Sequence, residues 1–262
     1  MICAIIQARL NSSRLPGKVL FEIEGRPMLS YMLERVTASK RIDQLVVATS
    51  IEPSDDPITD FCRQSGISCY RGSLENVLDR YYQAALKAKC DVVVRLTADC
   101  PLIDPKVIDT VIDVFQSGQF DFAANTVPPE GSTYPDGMDV EVFSFEALER
   151  AWKEAKKPSE QEHVTFYFWK NPQLFSTIRY DLQENLADYR LTVDYPEDFE
   201  VISSLLGNLY TKYSNFSMKD IIAFLNTNPG IRIKNSHIAS NQGWQPAFER
   251  DKCAGSTGAA NG

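Results

Sequence analysis

The chain has 262 residues and a mass of 29.5 kDa, which predicts one large domain or two small ones with an ample core. Its 27 basic and 35 acidic residues give a net charge of −8, and this balance argues against nucleic acid polymers and anionic membranes as partners. The charge is uneven, because residues 1–21 contain three basic side chains and no acidic one. The chain therefore opens on a segment of charge +3.

The cysteines and the N-terminus bear on the compartment. The six cysteines form no CxxC pair, and their spacing matches no zinc or redox motif. The N-terminus lacks the basic and apolar regions of a secretory signal. No stretch approaches the roughly 20 apolar residues of a membrane span. The sequence therefore predicts a reduced, cytoplasmic protein.

Short apolar runs alternate with amphipathic ones in the first hundred residues. A helical pattern starts at Pro27, and two more cover residues 57–64 and 73–89, the last with Ser73 as its cap. The apolar runs predict strands at residues 2–8, 45–49, 67–71 and 92–96. This order predicts an α/β fold with a mainly parallel sheet, helices on both faces and ligands at the carboxyl ends of the strands.

The pattern changes after residue 126. Residues 127–137 are rich in Pro and Gly and predict a loop. Beyond Asn235 the pattern dissolves, so we assign residues 1–238 to one domain and expect residues 239–262 to be a disordered tail. The intervening chain predicts strands at 138–143, 175–180 and 189–193, and helices at 144–156 (capped by Ser144), 160–169, 196–206 and 218–225.

The strongest chemical signal is the loop after the first strand, QARLNSSRLPGK. Small polar residues let backbone N–H groups point inward as an anion-binding nest, and Arg9, Arg14 and Lys18 add three cations. Neither GxxxxGK[ST] nor GxGxxG is present. A solvated basic loop is the competing interpretation, but its position directly after a buried strand favours a polyphosphate site of another kind.

Two aspartates follow predicted strands. Asp99 comes after VVVRL, and Asp194 comes after LTV. Carboxylate oxygens at neighbouring strand ends are suitable ligands for Mg²⁺ against a triphosphate. The alternative is that Asp99 forms a turn and Asp194 caps the following helix. For Asp104, which precedes Pro105, a helix cap is the better interpretation.

Several motifs resemble the cytidylyltransferase family, which includes acylneuraminate and 3-deoxy-manno-octulosonate cytidylyltransferases. The segments AIIQARLNSSRLPGK, RLTADCPLID and LTVDYPEDF carry the resemblance. The segments VVATSxxxxDDPI, RGSxxNVLDRYYQAA and GMDVEVFSFEALERAW are similar to the spore coat polysaccharide biosynthesis protein F branch. The resemblance spans residues 1–200. It implies a Rossmann-like nucleotide-diphospho-sugar transferase fold, Mg²⁺ as cofactor and transfer of CMP from CTP.

The resemblance also implies roles for residues that match the motifs. Arg9 and Lys18 are the expected catalytic cations, neutralising the α- and β-phosphates, and Asp99 and Asp194 are the expected metal ligands. The expected nucleotide-binding residues are Ala8, Arg9, Ser12, Ser13, Arg14 and Lys18 for the phosphates, and Arg71, Gly72, Asp79 and Arg80 for the base and ribose. The sequence departs from the acid-sugar enzymes at Gln7, where they usually carry Pro, and throughout the acceptor region.

Candidates for the acceptor side are weaker. Asp139 and Glu141 alternate with apolar residues, so they share one strand face and either line the acceptor pocket or face water. His163 could position an acceptor or act as a base, although a lone helical histidine is more often a surface or interface residue. The resemblance implies a homodimer, with residues 127–180 as the dimerisation and acceptor subregion.

The predicted function is that of a Mg²⁺-dependent nucleotidyltransferase. It would transfer CMP from CTP to an acidic sugar or related small molecule for surface polysaccharide synthesis and release pyrophosphate. One alternative is a GT-A glycosyltransferase that uses a nucleotide sugar. Another is a relative that binds nucleotide without turning it over.

Overall fold

The computed structural model describes residues 1–210, 215–240 and 242–257. Within them, seven strands form one central sheet and two form a small hairpin. The strands are β1 (Ile2–Gln7), β2 (Glu22–Ile23), β3 (Arg26–Pro27), β4 (Gln44–Ser50), β5 (Ser68–Gly72), β6 (Val92–Thr97), β7 (Phe122–Ala124), β8 (Glu141–Ser144) and β9 (Thr177–Arg179).

The described residues also form eleven α-helices. They are α1 (Met28–Thr37), α2 (Asp56–Gln64), α3 (Val77–Ala88), α4 (Pro105–Gln116), α5 (Phe145–Glu154), α6 (Pro158–Glu162), α7 (Phe166–Trp169), α8 (Pro196–Leu205), α9 (Met218–Thr227), α10 (Pro229–Arg232) and α11 (Gln245–Thr257). Short 3₁₀ turns lie at Lys18–Leu20, Pro53–Asp55 and Gln242–Trp244, and a π-helical turn at Leu206–Tyr210 extends α8. No helix in the described ranges is long and apolar enough to cross a membrane.

The sheet runs in the order β5-β4-β1-β6-β8-β7-β9. Strand β1 is parallel to both neighbours, with Ile5 opposite Val46 of β4 and Arg95 of β6. Strand β8 is antiparallel to β6 and to β7, so the sheet is mostly parallel but mixed at one end. This confirms the predicted α/β class.

Both faces of the sheet are covered. Alternate residues of β1 point to opposite faces, as the two-residue period of a strand requires. Ala4 and Ile6 pack with α1, α2, α4, α8 and α9 in one apolar layer, whereas Cys3 and Ile5 pack with α3, α5 and α7 in the other. The carboxyl ends of β1 and β6 consequently open between two rigid layers.

Several predicted bounds were wrong for local reasons. Helix α3 begins four residues later than predicted because Asn76 is the actual cap and accepts from Asp79 N at 2.9 Å. The predicted helix at 160–169 is two short helices, since Val164 between them has φ +41°, a left-handed value that ends α6. The predicted strand at 189–193 is an extended segment with a single bridge, Asp136 to Arg190.

The expectation of a disordered tail from residue 239 was also wrong over residues 242–257, which form a 3₁₀ turn and α11. Helix α11 rests on α6 and α7, with Ala247 fully buried and Phe248 stacked on Phe166 at 5.5 Å. The hydrophobic pattern was too short to predict this helix, because only three apolar side chains within Gln242–Thr257 make the contact. Residues 258–262 lie outside the described residues.

Candidate nucleotide site

The loop after β1 is fixed in shape by a buried carboxylate. Asp55 accepts from Leu10 N at 2.7 Å and from Ser50 Oγ at 2.5 Å, which ties the loop to the end of β4. Gly17 closes the loop by donating from its N–H to Leu10 O at 2.8 Å, and its φ of +79° is one that residues with a Cβ rarely adopt. The loop therefore holds its cations at set positions.

Lys18 begins the 3₁₀ turn that follows the loop and points inward. Its side chain is only 7% exposed, and its ammonium group contacts Asp99 Oδ2 at 3.1 Å and Asp194 Oδ1 at 2.9 Å. Burial alone lowers the pKa of Lys18, but the two carboxylates outweigh burial and raise it. Burial likewise raises the pKa of Asp99, yet Lys18 brings it down to about 2. At neutral pH the lysine is therefore a cation and Asp99 an anion.

Asp99 and Asp194 reach each other although 95 residues separate them in the chain. The extended segment that ends at Asp194 lies beside the chain after β6, where Val193 N donates to Asp99 O at 2.8 Å and Thr192 Oγ1 donates to the same oxygen at 3.3 Å. Gly137 lets this segment approach, because a Cβ there would overlap the backbone of Leu191 and Thr192.

A buried ion pair between Arg190 and Asp198 fixes the backbone at Asp194. Arg190 donates to both oxygens of Asp198, Nε to Oδ1 at 2.8 Å and Nη2 to Oδ2 at 3.0 Å. Asp198, which is 0% exposed, accepts from the N–H groups of Asp194 and Tyr195 at 3.0 Å each. The backbone at Asp194 is thus held by a carboxylate three to four residues further on.

Arg14 approaches Asp194 from the loop. Its Nη2 lies 2.5 Å from Asp194 Oδ1, and its guanidinium lies 5.5 Å from the centre of the Tyr195 ring. Arg9 is exposed and borders the same cavity. The cavity between the loop and the strand ends is lined by the predicted residues Ala8, Arg9, Ser12, Ser13, Arg14, Lys18, Arg80, Asp99 and Asp194, and also by His163 and Glu162.

The residues predicted for the base and ribose divide into two sets. Arg80 is 2% exposed, lines the cavity, donates from Nη1 to Ser73 O at 2.5 Å, and has a pKa lowered by burial to about 10. Arg71 instead binds the loop after β4, donating to Ser50 O at 2.9 Å and to Glu52 O at 2.8 Å. Asp79 accepts from Trp152 Nε1 at 2.9 Å. The geometry directs these last two side chains to structural contacts.

Gly72 lies behind Arg80. A Cβ at Gly72 would come within 3.0 Å of Arg80 Cγ, so the glycine leaves room for the arginine stem. Beyond it, a second cavity opens between residues 73–76 and helix α6, and Arg9 borders this cavity as well. The two cavities therefore adjoin at Arg9.

The acceptor candidates differ in availability. Glu141 is 3% exposed, forms an ion pair with Arg95, and accepts from Thr165 Oγ1 at 2.7 Å. Asp139 is half-buried; its Oδ2 accepts from Gly137 N at 2.8 Å and lies 3.9 Å from Cys100 Sγ. Burial raises the pKa of Asp139. Both line a third cavity that continues from Asp99, but the carboxylate of Glu141 is already bound.

His163 lies where the first and third cavities meet. It stacks on Phe166 at 4.6 Å, and its Nε2 is buried without a hydrogen-bond partner in the described chain. Burial, with Arg95 nearby, lowers its pKa to about 3. The imidazole is therefore neutral, which does not support a role as a base that titrates near neutral pH.

Sequence reasoning missed several residues at this site. Asp198 and Arg190 were visible as an aspartate and an arginine flanking Asp194 at a spacing of four, and this spacing is a usable signal. Asp136, whose pKa burial raises to about 7, could be assigned to this site only from the fold. Gln242 and Trp244, which also line the third cavity, carried no signal.

Three cations and two carboxylates thus meet at the carboxyl edge of a mostly parallel sheet. The predicted nest of inward N–H groups is not what the loop forms at Leu10, Ser12 and Gly17, whose N–H groups donate to Asp55 or to Leu10 O. Such an arrangement of cations and carboxylates is typical of nucleotidyltransferases, in which fixed cations stabilise charge on phosphates. Residues 3–221 match the family model described as cytidylyltransferase. The chain belongs to the cytidylyltransferase family.

Three similar proteins extend this result. An uncharacterized protein of Methanocaldococcus jannaschii is 38% identical over 90% of this chain and 95% of its own length. The spore coat polysaccharide biosynthesis protein SpsF of Bacillus subtilis is 33% identical over 87% of this chain and 95% of its own. The solved structure of a cytidylyltransferase from Leptospira borgpetersenii superposes with a TM-score of 0.82 at 36% identity, covering 88% of this chain and 96% of that one.

Proposed function

We propose that this enzyme transfers CMP from CTP to the hydroxyl of a sugar acid used in surface polysaccharide synthesis, releasing pyrophosphate. One observation carries the proposal: Lys18 lies between Asp99 and Asp194 at the mouth of a loop that also presents Arg9 and Arg14. A triphosphate is the ligand whose charge matches several cations on one short loop.

The carboxylate pair fits a divalent cation. Asp99 lines the cavity, and its Oδ1 lies 3.7 Å from the weak thiol donor of Cys100, so it offers a hard oxygen ligand there. Asp194 Oδ2 accepts from Arg190 at the long distance of 3.4 Å. Two protein carboxylates, with phosphate oxygens and water, make a typical Mg²⁺ ligand set. We therefore propose that Asp99 and Asp194 hold Mg²⁺, which would neutralise phosphate charge when bound.

The chain's own cations account for the rest of the chemistry. The acceptor hydroxyl gives up its proton to solvent water as its oxygen attacks the α-phosphorus of CTP in line; a P–O bond forms, and the bond to pyrophosphate breaks. Negative charge grows on the leaving group, and in this proposal Lys18 and Arg9 stabilise it with little reorganisation of the solvent. Lys18, released from the carboxylates, would bind phosphate oxygens as a point charge.

The nucleoside and acceptor occupy opposite sides of this centre in our proposal. The nucleoside extends from the phosphates toward Arg80 and residues 73–76, where the second cavity opens beside Arg9. The acceptor enters the third cavity, past Asp139 and His163. The sugar acid as acceptor class is supported by the family resemblance and by the polysaccharide role in the name of the Bacillus relative.

The test is incubation with CTP, Mg²⁺ and a panel that includes 3-deoxy-manno-octulosonate and N-acetylneuraminate. Pyrophosphate release with an equal amount of a CMP conjugate, identified by mass spectrometry, is the expected result. Transfer of sugar from a UDP- or GDP-sugar, with no use of CTP, would contradict the proposal and favour a glycosyltransferase. Binding of CTP without turnover over the panel would contradict the proposed acceptor class.

The homodimer remains a prediction. Residues 127–180 contain strand β9 at the edge of the sheet, and an edge strand presents unpaired backbone groups that a second copy can pair with. Sedimentation equilibrium would give twice the chain mass if the prediction holds and 29.5 kDa if it does not.

A further inference from the structure

Residues 242–257 run from the carboxylate side of the site to helix α6, and we call them the C-terminal segment. At its start, Gln242 Oε1 accepts from the hydroxyl of Tyr195, the residue after Asp194, at 2.8 Å. Gly243 lies against the guanidinium of Arg14. The segment thus begins in contact with the phosphate side of the site and lies beyond the region that matches the family model.

The far end of the segment is attached to helix α6. Asp251 accepts from Ser159 N at 2.9 Å and from Ser159 Oγ at 2.5 Å, and Ser159 is 1% exposed. Apolar contacts add to this attachment, because Phe248 stacks on Phe166 and Trp244 meets the same ring edge-on at 4.9 Å. Buried aromatic contacts of this kind hold a helix in a defined place.

Between these two ends the segment borders the cavities. Arg250 forms an ion pair with Glu162 and, together with Arg9 and Asn76, lines the second cavity. In our proposed function this is the nucleoside side. No residue of the segment lines the first cavity, around Lys18, within the described chain.

We propose that the C-terminal segment forms the outer wall of the nucleoside side of the site, with Arg250 as a positioning residue. This inference rests on the proposed binding of CTP. A wall held in place by Asp251 contacts the bound nucleoside, so detaching it removes those contacts and weakens the binding of CTP. The phosphates are held by the loop and Lys18, and the start of the segment is attached separately at Tyr195, so loss of the Asp251 contact leaves the phosphate side in place.

The experiment compares CTP and pyrophosphate as ligands, each with Mg²⁺, by calorimetric titration. Asp251→Ala removes the attachment to Ser159, and Glu249→Ala removes an equal charge at an exposed position of the same helix. We expect Asp251→Ala to raise the Kd of CTP about tenfold, which corresponds to about 1.4 kcal/mol. The Kd of pyrophosphate should stay within about twofold, and Glu249→Ala should change neither value.

Arg250→Ala gives a second, independent variant that leaves the attachment at Asp251 intact. It should raise the Kd of CTP several-fold and again leave pyrophosphate unaffected. Equal weakening of both ligands would overturn the inference, because the segment would then support the whole site. Unchanged CTP binding in both variants would also overturn it. A wild-type protein that binds pyrophosphate but no CTP would instead refute the proposed function.

Discussion

The ammonium group of Lys18 donates to Asp194 Oδ1 at 2.9 Å across a separation of 176 residues. The same nitrogen contacts Asp99, so one cation joins the end of β6 to the segment that precedes α8. Its removal would leave Asp99 without its ion-pair partner, whereas Asp194 would keep Arg14 and Arg190 as partners. Lys18 therefore joins the architecture of the site to its chemistry, and the first prediction concerns it.

Lys18→Ala should lower turnover at saturating CTP and acceptor by about 10²–10³-fold, the scale of one preorganised charge donor. The physical reason is that the ammonium stabilises charge that grows on the phosphates. The rate of pyrophosphate release measures this turnover. Lys106→Ala, at an exposed position on α4, is the matched control and should retain full turnover. A Lys18→Ala enzyme with unchanged pyrophosphate release would show that Lys18 has no catalytic role.

Metal dependence should follow the two carboxylates. Chelation should abolish turnover, Mg²⁺ should restore it, and Asp99→Asn should need at least about tenfold more Mg²⁺ for half-maximal rate, since an amide is a weaker ligand than a carboxylate. The measurement is the rate as a function of free Mg²⁺. Asp113→Asn removes a carboxylate that pairs with Arg41 at the surface, and serves as the control. The same Mg²⁺ dependence in both variants would exclude Asp99 as a ligand.

Much of this site could be predicted because its residues follow strands. The apolar runs of β1 and β6 predict a parallel core, and parallel strands end at one edge, which places Lys18 and Asp99 together. Asp194 was harder, because its segment is not a ladder strand and reaches the site through Gly137 and a backbone contact to Asp99. Such a contact depends on long-range packing and leaves no periodic signal.

The acceptor side and the chain around His163 show more clearly what could not be predicted from the sequence. Alternation places Asp139 and Glu141 on one face but does not reveal that Arg95 already binds Glu141. Val164 is β-branched, so its left-handed φ could not be predicted from the sequence, and this φ divides the predicted helix beside His163. These features are set by tertiary packing, which overrides local propensity.

The buried Arg190–Asp198 ion pair should contribute more to the free energy of unfolding than a surface ion pair does. Asp198→Ala removes the two-pronged partner of the Arg190 guanidinium, 8% exposed, which keeps its contact with Asp136 at 2.8 Å, and should lower the free energy of unfolding by about 3 kcal/mol. Glu200→Ala breaks an exposed ion pair with Lys234 and should cost no more than about 1 kcal/mol. Urea denaturation of both variants compares them. Equal costs would mean that the Arg190–Asp198 pair contributes no more than a surface pair.

His163 predicts a pH effect of defined sign. Its folded-state pKa is lowered to about 3, so below the unfolded value of about 6.5 the unfolded chain binds a proton that the folded chain does not. Stability is therefore lost as the pH falls. Between about pH 7 and pH 5 the contribution of His163 should decline by about 2 kcal/mol.

The measurement is the free energy of unfolding at several pH values for the wild type, His163→Gln and the control His237→Gln, which is at an exposed position. The His163 variant should lose about 2 kcal/mol less than the wild type over that interval. The control should follow the wild type. Parallel curves for all three proteins would show that His163 gains its proton equally in both states.

The central claim, a CTP triphosphate held by the loop after β1, is tested most directly by calorimetric titration of the wild type and Arg9→Ala with the four nucleoside triphosphates and Mg²⁺. We expect CTP to bind the wild type most tightly and Arg9→Ala to weaken all four triphosphates alike, because the role proposed for Arg9 is to bind phosphate and not the base. Tighter binding of ATP or GTP than of CTP, or undiminished binding by Arg9→Ala, would contradict this claim.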